Sequence, residues 1–140
     1  MKTRKATQVT LGPRTILIID DDVDFVEATS VPLEKRGYHV VKAYDGREGL
    51  RLAKIAPPDL VIMDIMMGER TEGFFTVQEM RQTTELRSVP IFVVSSLYSR
   101  IEEFKIAPER EWLAHDEFFP KPVDTEKLLK SIDRRLSDDH

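Results

Sequence analysis

The sequence predicts an α/β domain, a doubly wound parallel sheet with helices on both faces, and three observations predict it. Short continuous apolar runs recur along the chain. Segments with helical spacing stand between them. The runs end in polar residues that suit a single chemistry. Continuous β-branched runs are expected of strands buried on both faces. Strands alternating with helices imply parallel strands joined by right-handed crossovers.

Thr15 to Ile19 (TILII) reads as the first strand. A helix is expected from Val23 to Arg36, with Gly37 suited to its C-terminal cap. Pro32 should kink that helix or mark a late first turn. His39 to Ala43 (HVVKA) is a second strand, and Arg47 to Ala56 a helix closed by Pro57-Pro58. Leu60 to Met63 (LVIM) is a third strand, ending at Asp64. Phe74, Val77 and Met80 repeat at helical spacing. Ile91 to Val94 (IFVV) is a fourth strand and Glu117 to Phe119 a short fifth. Leu128, Leu129, Ile132 and Leu136 give the last helix its apolar face, with Asp124 as N-cap.

At 140 residues, with 41% hydrophobic and 33% charged residues, the chain suits one domain with a real core. A net charge of -4 gives no basic footprint for direct nucleic-acid binding. The absence of cysteine excludes disulfides and thiolate metal sites and permits a cytoplasmic location. Residues 1–14 carry Lys2, Arg4, Lys5 and Arg14 without an apolar stretch, so a flexible arm is expected rather than a secretory signal. No apolar run is long enough for membrane insertion as a helix. The domain is expected over 15–137, followed by a short tail at 138–140.

In doubly wound sheets, ligands bind beyond the carboxyl ends of the strands. The first strand runs into Asp20, Asp21 and Asp22, and the third into Asp64. The fourth runs into Ser95 and Ser96, and the fifth into Lys121-Pro122. Asp22 and Asp24 also suit helix capping. Asp64, placed against a buried strand, needs a partner for its charge. Carboxylates crowded on one rim call for a hard divalent cation such as Mg²⁺. With it, Lys121 and Ser95 can stabilise the oxygens of an incoming phosphoryl group, and Asp64 can act as the nucleophile.

Three other readings use some of these residues. Asp20-x-Asp22 imitates the acid pair of a haloacid-dehalogenase-like phosphatase, but Asp24 stands where that pattern prefers Thr or Val. Asp20-x-Asp22-x-Asp24 opens like an EF-hand calcium loop, but Phe25 and Val31 occupy its required Gly and Glu positions. A phosphorylation-independent interaction module would not need the full acid, hydroxyl and lysine set.

The ordered stretches ILIIDDD (16–22), GYHVVKAYDGREGL (37–50), PPDLVIMDIMM (57–67), VPIFVVSS (89–96) and FFPKPVD (118–124) resemble the receiver domain of two-component response regulators. The resemblance implies a five-stranded flavodoxin-like sheet of order 2-1-3-4-5. It implies Asp64 as phosphoacceptor, with Asp20, Asp21, Asp64 and the Met66 backbone carbonyl around Mg²⁺. Asp21 would be the more direct ligand, with Asp20 acting partly through water. Ser95 and Phe118 would form the switch, Lys121 would meet the phosphoryl group, and the Lys121-Pro122 bond would be cis. It further implies a signalling protein rather than an enzyme. Its phosphodonor would be a sensor histidine kinase or histidine phosphotransfer protein. No output domain follows the last helix, so a separate downstream target is expected unless the sequence is a fragment of a longer protein.

The chain departs from the family pattern at several points. Gly68 replaces a common Pro, and Gly73 comes one residue late, so a longer, looser loop after Asp64 is expected. Ser96 replaces a usual Ala. The 96–117 connection is longer than usual and carries Pro108 and Trp112, so a broken or displaced helix is expected there. Phe118 has no hydroxyl, leaving packing as its only means of switching. Met66 and Leu97, both apolar, would flank the acyl phosphate without orienting water, which predicts slow self-dephosphorylation.

Overall fold

The structure is a computed structural model that describes residues 12–67, 72–96 and 116–137. The expectations for most of the N-terminal arm, Gly68, Leu97, the Pro108 and Trp112 connection and the tail lie outside these residues. In chain order the elements are β1 (Thr15–Ile19), α1 (Val23–Lys35), β2 (His39–Ala43), α2 (Gly46–Ile55) and β3 (Leu60–Met63). Then come α3 (Glu72–Gln82), a 3-10 turn (Thr84–Leu86), β4 (Ile91–Ser95), β5 (Glu117–Pro120) and α4 (Thr125–Leu136). The five strands form one parallel sheet of order 2-1-3-4-5.

Alternation along the strands sorts the core into two clusters. Leu17, Ile19, Val61, Met63, Ile91 and Val93 pack with Ala53 of α2 and with Val77 and Met80 of α3. Ile16, Ile18, Leu60, Ile62, Phe92 and Val94 pack with Val26 and Leu33 of α1 and with Leu128 and Ile132 of α4. Successive residues point to opposite faces, and both faces are covered, so the central strands are apolar at every position. Each fully buried aliphatic side chain contributes about 1.5–3 kcal/mol of transfer free energy.

The helix ends follow local chemistry. Asp22, Asp45 and Asp124 each accept a hydrogen bond from the backbone N–H three residues on, capping α1, α2 and α4. Helix α1 ends in a Schellman motif. The Tyr38 N–H donates to the Leu33 carbonyl and the Gly37 N–H to that of Glu34, with Gly37 at φ 95°. Helix α1 runs from Val23 with Pro32 inside it, so Pro32 is not a late first turn. Helix α2 lies one residue earlier than expected because Asp45 is its cap. Strands β4 and β5 each run one residue further than their apolar runs, to Ser95 and Pro120. At the opposite end of the sheet, Asp116 accepts from the Ile91 N–H at 2.7 Å and pairs with Arg81 and Arg135, which fixes the entry to β5.

Candidate functional site

The rim at the carboxyl ends of β1, β3, β4 and β5 gathers the polar groups. Asp20 and Asp64 each continue a strand ladder by one residue, the Asp20 N–H donating to the Ala43 carbonyl and the Asp64 N–H to that of Ile19. The two carboxylates are held in the same way. Asp20 Oδ1 accepts from the Asp22 N–H at 2.9 Å, and Asp64 Oδ1 accepts from the Met66 N–H at 2.9 Å. Such bonds to the backbone two residues on fix a carboxylate within its own turn.

The second oxygen of each carboxylate faces one ammonium. Lys121 Nζ donates to Asp20 Oδ2 at 2.9 Å and to Asp64 Oδ2 at 3.3 Å. Asp20 and Asp64 are buried, whereas Asp21 is exposed at the mouth. Carboxylate oxygens of all three lie within 4.8 Å of one another. The partner that the sequence demanded for Asp64 is therefore Lys121.

Two buried carboxylates share one ammonium, with Asp21 exposed beside them, and Asp20 registers that setting. Burial pushes its carboxyl up to about 6, the charge of Asp64 adds to that, and the Asp22 N–H and Lys121 oppose it. Burial alone would lower the Lys121 ammonium. The hydrogen bond to Asp20 and the charges of Asp20 and Asp64 outweigh it, so Lys121 is held above its ordinary value. Hard oxygen donors, close spacing and excess negative charge fit a divalent cation such as Mg²⁺.

Ser95 ends β4 fully buried, and its carbonyl accepts from the Lys121 N–H at 3.1 Å. Met63 lies level with Val93, and Val93 with Phe118, so Asp64 and Ser95 share one rim. Phe118 is half-buried and packs on the core cluster beneath α2 and α3. The Lys121-Pro122 bond is cis, as the resemblance implied. Asp22 is a helix cap, and Asp24 lies in the first turn of α1.

Two neighbours were not legible in the sequence. The Phe25 ring centroid lies 4.6 Å from Lys121 Nζ. At the start of α3, the Glu72 carboxylate accepts from the Gly46 N–H at 2.6 Å, tying the N-termini of α2 and α3 together. Gly73, the next residue, lies so close to the Asp64 carbonyl and Ile65 Cα that a Cβ there would overlap both. Neither Phe25 nor Glu72 belongs to a spacing that announces a site, and both arrive through helix packing.

A doubly wound sheet whose rim joins an acidic pair, a central aspartate and a lysine defines a class, the phosphoacceptor receiver modules. The response regulator receiver domain profile matches residues 16–133, and the chain belongs to that family. It is 34% identical over 122 residues to the protein PilH of Pseudomonas aeruginosa, covering 87% of this chain and 97% of that one. It also matches curated transcriptional regulators, of whose length it spans about half. Among solved structures, the chemotaxis protein CheY4 of Vibrio cholerae superposes with a TM-score of 0.76 at 28% identity. That match covers 89% of this chain and all of the other. The response regulator TrrA of Thermotoga maritima, solved in complex with Mg²⁺-BeF, superposes at 0.72 with 26% identity, covering 88% and 99%. Among the described residues, no helix is long and apolar enough to cross a membrane.

Proposed function

We infer that this chain is a phosphoacceptor signalling module in which Asp64 receives a phosphoryl group from a phosphohistidine. The observation that carries the reading is the Lys121 ammonium held between Asp20 and Asp64, with Asp21 completing a triad of carboxylates. An Asp64 carboxylate oxygen attacks phosphorus. A P–O bond forms as the P–N bond to the donor imidazole breaks, and the leaving nitrogen keeps the electron pair.

Asp20, Asp21, Asp64 and the Met66 carbonyl would hold Mg²⁺. When bound, the ion neutralises carboxylate and phosphoryl oxygens. Lys121 donates to a second phosphoryl oxygen, and the Ser95 hydroxyl donates to a third. Movement of Ser95 toward the phosphoryl group opens room for Phe118 to turn inward, which biases a two-state surface around β5 and α4. The module assists its own phosphorylation and dephosphorylation and turns over no separate substrate. Its donor is a sensor histidine kinase or histidine phosphotransfer protein, its output a downstream protein target, and its site of action the cytoplasm. Residues 15–137 form the unit that carries this function.

The test is intact-mass analysis after incubation with acetyl phosphate, with Mg²⁺ or with excess chelator. One phosphoryl group gained only with Mg²⁺ is the expected result. No gain under either condition, including with a phosphorylated histidine donor, would contradict the reading.

A further inference from the structure

We propose that Phe25 is a positioning residue for Lys121, its ring face holding the ammonium at the phosphoacceptor when the carboxylates turn to a cation. This rests on the function proposed above. Among the described residues, Lys121 Nζ meets groups on three elements: Asp20 Oδ2 at the end of β1, Asp64 Oδ2 beyond β3, and the Phe25 ring on α1. The two carboxylates are the groups a divalent cation would claim, so their hold on Lys121 weakens as that cation binds. The ring does not compete for the cation, and its attraction for an ammonium is electrostatic.

Local structure sets the ring in place. Asp22 caps α1 by accepting from the Phe25 N–H at 3.1 Å, which puts Phe25 in the first turn, beside the rim. Phe25 is half-buried and packs against the core cluster beneath α1 and α4, so the ring is supported from below. The Lys121 side chain retains only 19% of its exposure. A face that attracts the ammonium without accepting a directed hydrogen bond leaves its N–H groups free to turn to a phosphoryl oxygen. An apolar side chain of similar size would fill the space without that attraction.

The test compares the full-length wild type with Phe25→Tyr, Phe25→Leu and Asp64→Asn. Phosphoryl gain from acetyl phosphate with Mg²⁺ is followed by intact mass, and the Lys121 side-chain methylene protons by NMR in saturating Mg²⁺. In wild type and Phe25→Tyr, ring-current shifts of those protons persist with Mg²⁺ bound. In Phe25→Leu the shifts vanish, and phosphorylation slows roughly threefold to tenfold at unchanged Mg²⁺ affinity. Wild-type rate in Phe25→Leu overturns the inference, as does the absence of ring-current shifts in wild type. A Phe25→Tyr variant as slow as Phe25→Leu also overturns it, because the loss would then be one of packing. Wild type that gains no phosphoryl group, or gains one equally in Asp64→Asn, overturns the functional reading and this inference with it.

Discussion

Lys121 and Asp20, 101 residues apart in the chain, meet through a 2.9 Å charge-assisted hydrogen bond at the rim of the sheet. The same ammonium reaches Asp64, so removing it leaves two buried carboxylates facing each other. Removing one partner of a buried charge cluster is costly because the remaining charge is uncompensated. Lys121→Met is expected to lower the stability of the metal-free protein at pH 7 by roughly 1–3 kcal/mol. Millimolar Mg²⁺ should recover most of the loss. Chemical denaturation with and without Mg²⁺ checks both parts.

Asp20 gives the metal-free fold a pH dependence of definite sign. Its carboxyl rises from 3.8 to about 6 on folding, chiefly through burial. A raised carboxyl favours the protonated form in the fold. Its stabilising contribution is therefore complete below about pH 4 and is lost as pH rises through 6. The loss from this group is on the order of 1–3 kcal/mol. Mg²⁺ affinity should strengthen over the same window, because the cation needs the ionised carboxylate. Denaturation midpoints at pH 4.5 and 7.5, in chelator and in Mg²⁺, are expected to diverge with rising pH. Asp20→Asn should flatten that dependence.

Gly73 places α3 directly on the backbone of the loop that carries Asp64. A Cβ would overlap the Asp64 carbonyl oxygen and Ile65 Cα, which are backbone atoms that cannot rotate away. Gly73→Ala is expected to cost about 1–3 kcal/mol, typical of overpacking. It should also weaken Mg²⁺ binding, because the loop that carries Asp64 and Met66 must shift. Thermal melting and calorimetric titration with Mg²⁺ read the two effects separately.

Met66, half-buried two residues after Asp64, carries no group that can orient water. A slow loss of the phosphoryl group is expected for that reason. Met66→Asn, alone or with Leu97→Glu, should shorten the lifetime several-fold. Following phosphoprotein decay by mass after removal of the donor checks this, and an unchanged or longer lifetime would count against it.

Much of this architecture was legible because parallel strands covered on both faces must be apolar throughout. TILII, LVIM and IFVV therefore announced themselves, and the residues that follow them had to share a rim. The acid set, Ser95 and Lys121 were found in this way. The strand ends were less legible, because Ser95 and Pro120 continue a ladder through backbone bonds that their side chains do not reveal. Helix α2 begins at Gly46 because Asp45 caps it, a choice between neighbouring residues that apolar spacing leaves open. Phe25 and Glu72 escaped for a different reason. Their roles depend on contacts made across elements far apart in sequence, and each residue type is unremarkable where it stands.

The central claim is that Asp64 itself takes the phosphoryl group. Acyl phosphates are trapped by borohydride reduction, which marks the modified aspartate for peptide mapping. Wild type, Asp64→Asn and Asp20→Asn would be treated with Mg²⁺ and acetyl phosphate and then trapped. The account predicts a single mark at Asp64 in wild type and none in Asp64→Asn. A mark at Asp20, lost in Asp20→Asn and retained in Asp64→Asn, would contradict it.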